Sequence, residues 1–277
     1  MKISAGQTVL LTGATGGLGT FITRALATAG ANLALIAYPG AELQKLEGEL
    51  KRLGGRAFSM SADVRSSADR RAMVEEVHRR FGGIDILINN AGIEYTSYYH
   101  DLTEENIRDV IGVNLEGPML LTRLVLPEML ARKRGHIVNM SSLAGKAGPA
   151  CQEPYAATKA GLIGFTYSLR GTYRKLGVSA SAIVPGFVEA GIYAKLKERS
   201  GFAAPALLGT SQPEDVARAV LRAIECDLPE VIVNSMPVRP LFSFSALFPA
   251  AGEWLADKTG GNDFFKRVVE AQKRGPK

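Results

Sequence analysis

Cysteine, histidine and tryptophan are scarce in this 277-residue chain, which carries two, three and one of them respectively. Two cysteines, Cys151 and Cys226, cannot build a disulfide framework, and neither stands at metal-ligand spacing, so a reducing compartment, the cytoplasm, is expected. His78, His100 and His136 are scattered with no carboxylate or cysteine at ligand spacing, which points to no metal site. No Ser–His–acid arrangement is discernible around Ser141 or Ser142. Long apolar runs are missing too: none approaches the roughly 18–20 residues that cross a bilayer. The opening Met1-Lys2-Ile3-Ser4-Ala5-Gly6 has no apolar stretch with a cleavage site, so no secretory signal is expected. The net charge is +6, yet acidic residues are interspersed throughout, and no Lys/Arg stripe alternates with aromatics as a nucleic-acid surface would require. The densest basic run, Arg132-Lys133-Arg134, reads as the solvated end of a helix.

What is present is an ordinary globular composition, 46% apolar and 22% charged. Short β-branched or continuously apolar runs predict strands over 8–12, 32–37, 57–60, 84–89, 136–140, 179–184 and 231–233. Between them, apolar residues at three- and four-residue intervals predict helices over 18–29, 41–53, 67–81, 104–132, 155–176 and 214–225. Gly30, Gly54-Gly55, Gly82-Gly83 and Gly177 fall where those helices should stop. Strand–helix alternation with right-handed crossovers gives an α/β fold: a doubly wound Rossmann arrangement, with a central parallel sheet of about seven strands flanked by helices. With no repeat and no Pro/Gly/Ser-rich linker, a single domain is expected. Residues 1–235 form its body, and 236–277 are a helical extension packed on it. That extension is aromatic-rich, from Leu241-Phe242-Ser243-Phe244 through Trp254 to Phe264-Phe265. Packing on the body, lidding a site, a subunit interface and a membrane interface are its possible uses.

The first strand runs directly into Gly13-Ala14-Thr15-Gly16-Gly17-Leu18-Gly19 and then a helix. Glycines there let the backbone turn tightly and let a pyrophosphate approach a helix N-terminus, whose N–H groups and dipole favour anions. No Gly-Lys-Ser/Thr follows, which disfavours a nucleoside triphosphatase loop. Tyr155 and Lys159 are four apart and so share one helix face. A phenol titrates near ~10, and a neighbouring ammonium favours its phenolate. Ser142, after the fifth strand, can donate a hydrogen bond to a reacting oxygen.

With Thr12-Gly13-x-x-x-Gly17-x-Gly19, Asn89-Asn90-Ala91-Gly92, Ser142, Tyr155-x-x-x-Lys159 and Pro185-Gly186 in this order, the chain resembles the short-chain dehydrogenase/reductase family over about residues 5–235. The resemblance implies an NAD(P)-dependent oxidoreductase that moves a hydride between nicotinamide and a ketone, aldehyde or secondary alcohol. Tyr155 would be its general acid/base, assisted by Ser142 and by Lys159, which also binds the nicotinamide ribose. Asn114 would anchor a water-linked proton path. The resemblance places the dinucleotide on Gly13, Thr15, Gly16, Gly17, Leu18 and Gly19. It puts the adenine against Asp63, through its carboxylate, and Val64, with its ribose by Asn90, Ala91 and Gly92. The nicotinamide would lie against Pro185, Gly186 and Val188. One departure stands out: the family usually has threonine at the position of Ala190, where its hydroxyl meets the carboxamide.

Cofactor choice normally rests at the end of the second strand, where an acid binds the ribose hydroxyl and a base receives a 2′-phosphate. Here the sequence reads Ala37-Tyr38-Pro39, with no acid and no arginine. The missing acid tilts the expectation towards NADP(H) over NAD(H), with Tyr38 stacked near the adenosine. Loops 94–99, 147–153 and 189–208 should line the substrate pocket. Their aromatic and small apolar residues, beside Glu94 and Glu153, suit an apolar carbonyl or alcohol. Glu94 also reads simply as a solvated loop residue. Two further readings are a membrane-associated lipid or sterol oxidoreductase anchored through 241–255, and a dinucleotide sensor without turnover, which intact Ser142, Tyr155 and Lys159 argue against. The family's habit of pairing the long helices implies a homo-oligomer.

Overall fold

The computed structural model describes residue 3 and residues 5–40, 42–52 and 55–274; the expected helix ends at Ala41 and Leu53 and the expected cap at Gly54 lie outside them. Among the described residues nine strands are formed: β1 (Thr8–Thr12), β2 (Asn32–Ala37), β3 (Ala57–Ser61), β4 (Ile86–Asn89), β5 (Gly135–Met140), β6 (Val178–Pro185), β7 (Phe187–Val188), β8 (Thr210–Ser211) and β9 (Glu230–Val233). Seven make one parallel sheet in the order β3-β2-β1-β4-β5-β6-β9, while β7 and β8 pair with each other. The register between β1 and β2 runs from Thr8 opposite Asn32 to Thr12 opposite Ile36. Strand order therefore reverses between β1 and β4, the place where doubly wound sheets open a crevice at their C-terminal edge.

The body helices are α1 (Gly19–Thr28), α2 (Leu43–Arg52), α3 (Ser67–Phe81), α4 (Glu104–Ile111), α5 (Gly117–Ala131), α6 (Ala144–Ala147), α7 (Glu153–Tyr173), α8 (Gly191–Ser200) and α9 (Pro213–Glu225). Alternate strand residues feed two apolar layers. Val9, Leu11, Leu33, Leu35, Ile86 and Ile88 pack with Ile22 and Leu26 of α1 and with Val216 and Val220 of α9. Leu10, Ile36, Leu87 and Ile137 point the other way, to Met73 and Val77 of α3 and Leu121 and Val125 of α5. Burial on both faces explains why the strands read as unbroken apolar runs. Gly82 and Gly177 end their helices with φ of 83° and 92°, as caps in the left-handed region do.

Two elements differ from expectation. The helix expected over 104–132 is broken by a π turn at Gly112–Glu116, in which the Gly117 amide donates to the Gly112 carbonyl. Such a turn inserts one residue and re-aims the side chains it carries; here Asn114 becomes fully buried. The whole stretch Glu104–Ala131 is long and apolar enough by composition to cross a membrane, but its α5 half packs on the sheet and on α3. Second, part of the segment expected as loop over 189–208 is the helix α8, because Tyr193 and Leu196 find a partner in the C-terminal extension.

That extension forms α10 (Arg239–Leu247), α11 (Pro249–Lys258) and α12 (Gly261–Lys273). Phe264, Phe265, Val268 and Val269 of α12 bury against Tyr193, Leu196 and Cys151, with Phe187 packed alongside. The rings of Phe187 and Phe264 meet edge-on at 5.5 Å. α10 and α11 are less covered: Phe244, Leu247, Phe248 and Trp254 are exposed, Leu247 by 75% and Trp254 by 61%.

Candidate active site

The crevice at the reversal point is held by polar staples between β1 and β4. Thr12 Oγ1 accepts from the Asn90 and Ala91 amides, each at 3.1 Å. Asn90 Nδ2 returns two bonds, to the Thr12 carbonyl at 3.1 Å and the Gly13 carbonyl at 3.0 Å. Gly13 sits at φ 66°, and a Cβ on it would lie 2.8 Å from Ala91 Cα, so only glycine fits there. Gly19 is closer still, since a Cβ would stand 2.0 Å from the Gly13 carbonyl oxygen. The loop thus folds back onto the first turn of α1. No side chain caps that helix and no acid lies in its first turn, which leaves its positive end open to an anion. A dinucleotide pyrophosphate fits this cradle.

A cavity of about 660 Å³ runs from this loop over the ends of β4, β5 and β6. Gly13, Gly16, Gly17, Leu18, Asn90, Ala91, Gly92, Ser142, Tyr155, Lys159, Pro185, Gly186 and Val188 all line it. Thr15, Gly19, Tyr38, Asp63, Val64 and Asn114 do not. Tyr38 follows β2 and is 65% exposed. Asp63 follows β3, but its carboxylate is engaged by Arg65, whose Nε donates at 3.0–3.1 Å and whose amide donates at 2.9 Å. That guanidinium holds the Asp63 carboxyl below the usual range. Any adenine contact at Asp63 competes with this pair.

Ser142, Tyr155 and Lys159 come together at the cavity floor. The Ser142 hydroxyl lines the same cavity as the Tyr155 phenol and accepts from the Ala144 amide at 3.1 Å. Lys159 Nζ lies 5.4 Å from the Tyr155 ring centre and donates to the Met140 carbonyl at 2.8 Å. Burial raises the phenol to about 12 against the opposing effect of Ser142, and the Glu94 charge pushes the same way as burial. Burial also lowers the Lys159 ammonium to about 8. Each shift has the sign that desolvation of a charged form imposes.

Asn114 reaches this floor through the backbone. Its Oδ1 accepts from the Ile93 amide at 2.9 Å, and its Nδ2 donates to the Ile93 carbonyl at 2.8 Å and to Thr158 Oγ1 at 3.3 Å. A Cβ on Gly92 would be 3.5 Å from both Asn114 Oδ1 and Lys159 Nζ. The three residues are therefore neighbours, and the π turn is what brings the first of them in.

The loop 94–99 does not line the cavity. Instead Glu94 bonds Thr96 Oγ1 and accepts from Gln152 Nε2 at 3.3 Å, with Gln152 on the wall. Burial raises the Glu94 carboxyl. Ala190 lines the cavity in an extended conformation with no hydroxyl to offer. Sequence reasoning offers lidding the site as one use of the extension without naming the residues; Leu241, Phe242, Leu255 and Phe265 are the ones that line the cavity. Their signal was the density of aromatics after residue 240, which does not say which way they point.

The short chain dehydrogenase family model matches residues 7–201. Ketoacyl reductase HetN of Nostoc sp. is 39% identical over 253 residues, 91% of this chain and 86% of that protein. A match of that length takes in part of the extension. Oxidoreductase UcpA of Escherichia coli is 37% identical over 79% of this chain and 80% of its own. The 3-oxoacyl-[acyl-carrier-protein] reductase FabG of Staphylococcus aureus is 37% identical over 66% of this chain and 74% of its own. A crystal structure of a metagenomic short-chain oxidoreductase in complex with NADP superposes with a TM-score of 0.72 at 33% identity, covering 84% of this chain and 98% of that one. With the glycine cradle, the seven-stranded parallel sheet and these matches in agreement, the chain belongs to the short-chain dehydrogenase/reductase family and is a nicotinamide-dependent oxidoreductase.

Proposed function

We propose that this enzyme reduces the carbonyl of an apolar small molecule with NADP(H), and that Tyr155 supplies the proton. One observation carries the reading: a phenol, an ammonium and a hydroxyl converge on the floor of a cavity that begins at an anion-binding glycine loop. When bound, the nicotinamide supplies the hydride. Ser142 turns its hydroxyl to the substrate oxygen and holds it against Tyr155. The phenolic proton passes to that oxygen as it gains charge, and the Lys159 ammonium stabilises the phenolate left behind. Asn114 keeps Ile93, and with it Gly92, in place beside Lys159, where the proton path implied by the family runs. The test is a panel of ketones and aldehydes followed at the nicotinamide absorbance. Bound dinucleotide with no turnover of any carbonyl would leave only the sensor reading.

Cofactor preference follows from the end of β2. With Ala37 in place of an acid there, no carboxylate at that position repels a 2′-phosphate, and kcat/KM for NADPH is expected to exceed that for NADH. A strong NADH preference would overturn this. The missing hydroxyl at Ala190 gives a sharper test. Ala190→Thr suits the extended backbone and restores one hydrogen bond to the carboxamide, so NADPH should bind about fivefold tighter. Adenosine 2′,5′-bisphosphate, which lacks the nicotinamide, should bind unchanged; equal gains for both would assign the effect to helix capping.

A second reading keeps the chemistry and moves it to a lipid surface. It is favoured by the exposed Phe244 and Leu247 of α10, Phe248 at the junction and Trp254 of α11, since large exposed apolar groups often mark an interaction surface. Flotation of the pure protein with liposomes checks it, and failure to float ends it.

A further inference from the structure

We propose that the helical pair α10–α11, with α12 behind it, is a hydrocarbon-binding wall, and that the substrate carries its carbonyl on an extended apolar body rather than as a small polar molecule. The inference rests on the carbonyl-reductase reading above and names the substrate class of that same cavity. The cavity does not end at Tyr155. Ile192 and Leu196 of α8 and Leu241, Phe242, Leu255 and Phe265 of the extension line the same space.

Ser245 and Asn234 add polar atoms to this lining, Asn234 Oδ1 being buried without a partner among the described residues, while other polar side chains near the far wall are engaged elsewhere. Asn262 accepts from the Ala150 amide at 3.2 Å and donates to Asp257 at 3.0 Å. Thr259 donates to the Ala256 carbonyl at 3.1 Å. Lys146 is paired with Glu230 at 2.8 Å, and Glu253 is exposed to solvent. A substrate body lying here meets mainly methyl, methylene and ring surface, while its reacting oxygen stays on Ser142 and Tyr155. Pockets of this kind take their affinity from apolar walls and their orientation from a few polar groups.

The wall is anchored to the body through α12. α11 crosses α10 so closely that a Cβ on Gly252 would lie 2.6 Å from Ser245 Cβ. α12 is tied to the loop before Tyr155 by the Asn262 bond and to Asp101 by Lys273 at 2.8 Å. Its buried Phe264, Phe265, Val268 and Val269 hold α8 in turn. A groove anchored in this way selects by length and bulk.

The experiment is a series of straight-chain methyl ketones from butanone to 2-dodecanone, with NADPH, on the full chain. In the wild type, kcat/KM should rise about fourfold for each methylene buried, then level off. Phe242→Ala and Leu255→Ala should flatten that slope to less than about twofold per methylene. Phe242→Trp, which fills the groove, should move the plateau to shorter ketones. Trp254→Ala, whose side chain lies outside the cavity lining, should leave the slope as it is. NADPH titration of each variant confirms that it is folded. A flat wild-type series with butanone still reduced overturns the hydrocarbon wall and spares the carbonyl-reductase reading. So does a slope indifferent to both Phe242 variants. No reduction of any ketone by the NADPH-bound enzyme overturns both.

Discussion

Replacing Tyr155 with phenylalanine should lower kcat by about two to four orders of magnitude, the usual contribution of a positioned acid or base, while NADPH binding stays within about threefold of wild type. The substitution removes a single oxygen. The ring keeps its place over Lys159, and Ser142 keeps its bond from the Ala144 amide. What is lost is the proton that a developing alkoxide needs. Stopped-flow single turnovers separate this step from product release, and dinucleotide fluorescence reports binding. Turnover above one tenth of wild type would remove Tyr155 from the acid's role. The direction of pH dependence follows from the same oxygen. Carbonyl reduction needs the phenol protonated and should fall as pH rises through its working pKa; alcohol oxidation needs the phenolate and should rise over the same interval.

Lys159→Met should reduce kcat/KM at least about hundredfold, because the phenolate loses the charge that stabilises it. The same change should make the unliganded protein more stable. Burial pulls the Lys159 pKa from 10.5 down to about 8, so the unfolded chain binds more protons than the folded one between those values. Stability of the wild type therefore rises with pH across that window, and at pH 7 the buried ammonium costs up to about 3 kcal/mol. Losing the bond to the Met140 carbonyl offsets about 1 kcal/mol of the relief. The net expectation is a gain of about 2 kcal/mol at pH 7, with the rise above pH 8 absent from the variant. Urea melts at pH 7 and pH 9.5 check both statements, and a destabilised, inactive variant would mean the lysine serves the fold. Enzymes commonly hold such destabilising groups where chemistry needs them.

The sheet was legible because its information is local. The inner strands of the main sheet are buried on both faces and read as apolar runs, and all seven of its strands lie within two residues of their expected ends, whereas the two-residue β7 and β8 were not expected. Tyr155 and Lys159 were legible because residues four apart share a helix face, and Ser142 because the order of motifs resembles the short-chain dehydrogenase/reductase family. The elements that escaped depend on distant partners. α8 is mildly amphipathic by itself, and only Phe264, Phe265, Val268 and Val269, some seventy residues later, make its inner face a buried one. The π turn at Asn114 follows no periodicity and was hidden inside a helix pattern that continues on both sides. Loop 94–99 was expected on the cavity wall, but Glu94 turns to Thr96 and Gln152 instead. The carboxylate of Asp63 was expected towards adenine; it pairs with Arg65, two residues on, which an adenine contact would have to share.

The order of the cavity's parts along the chain has a practical meaning. Everything proposed to handle the hydride and the proton comes before Gly191, and Leu241, Phe242 and Leu255 all come after Asn234. Exchanging α10 and α11 between relatives, with α12 kept to hold α8 and the loop before Tyr155, would then retune which molecules enter without disturbing how they react, making that helical pair a replaceable cartridge for selectivity.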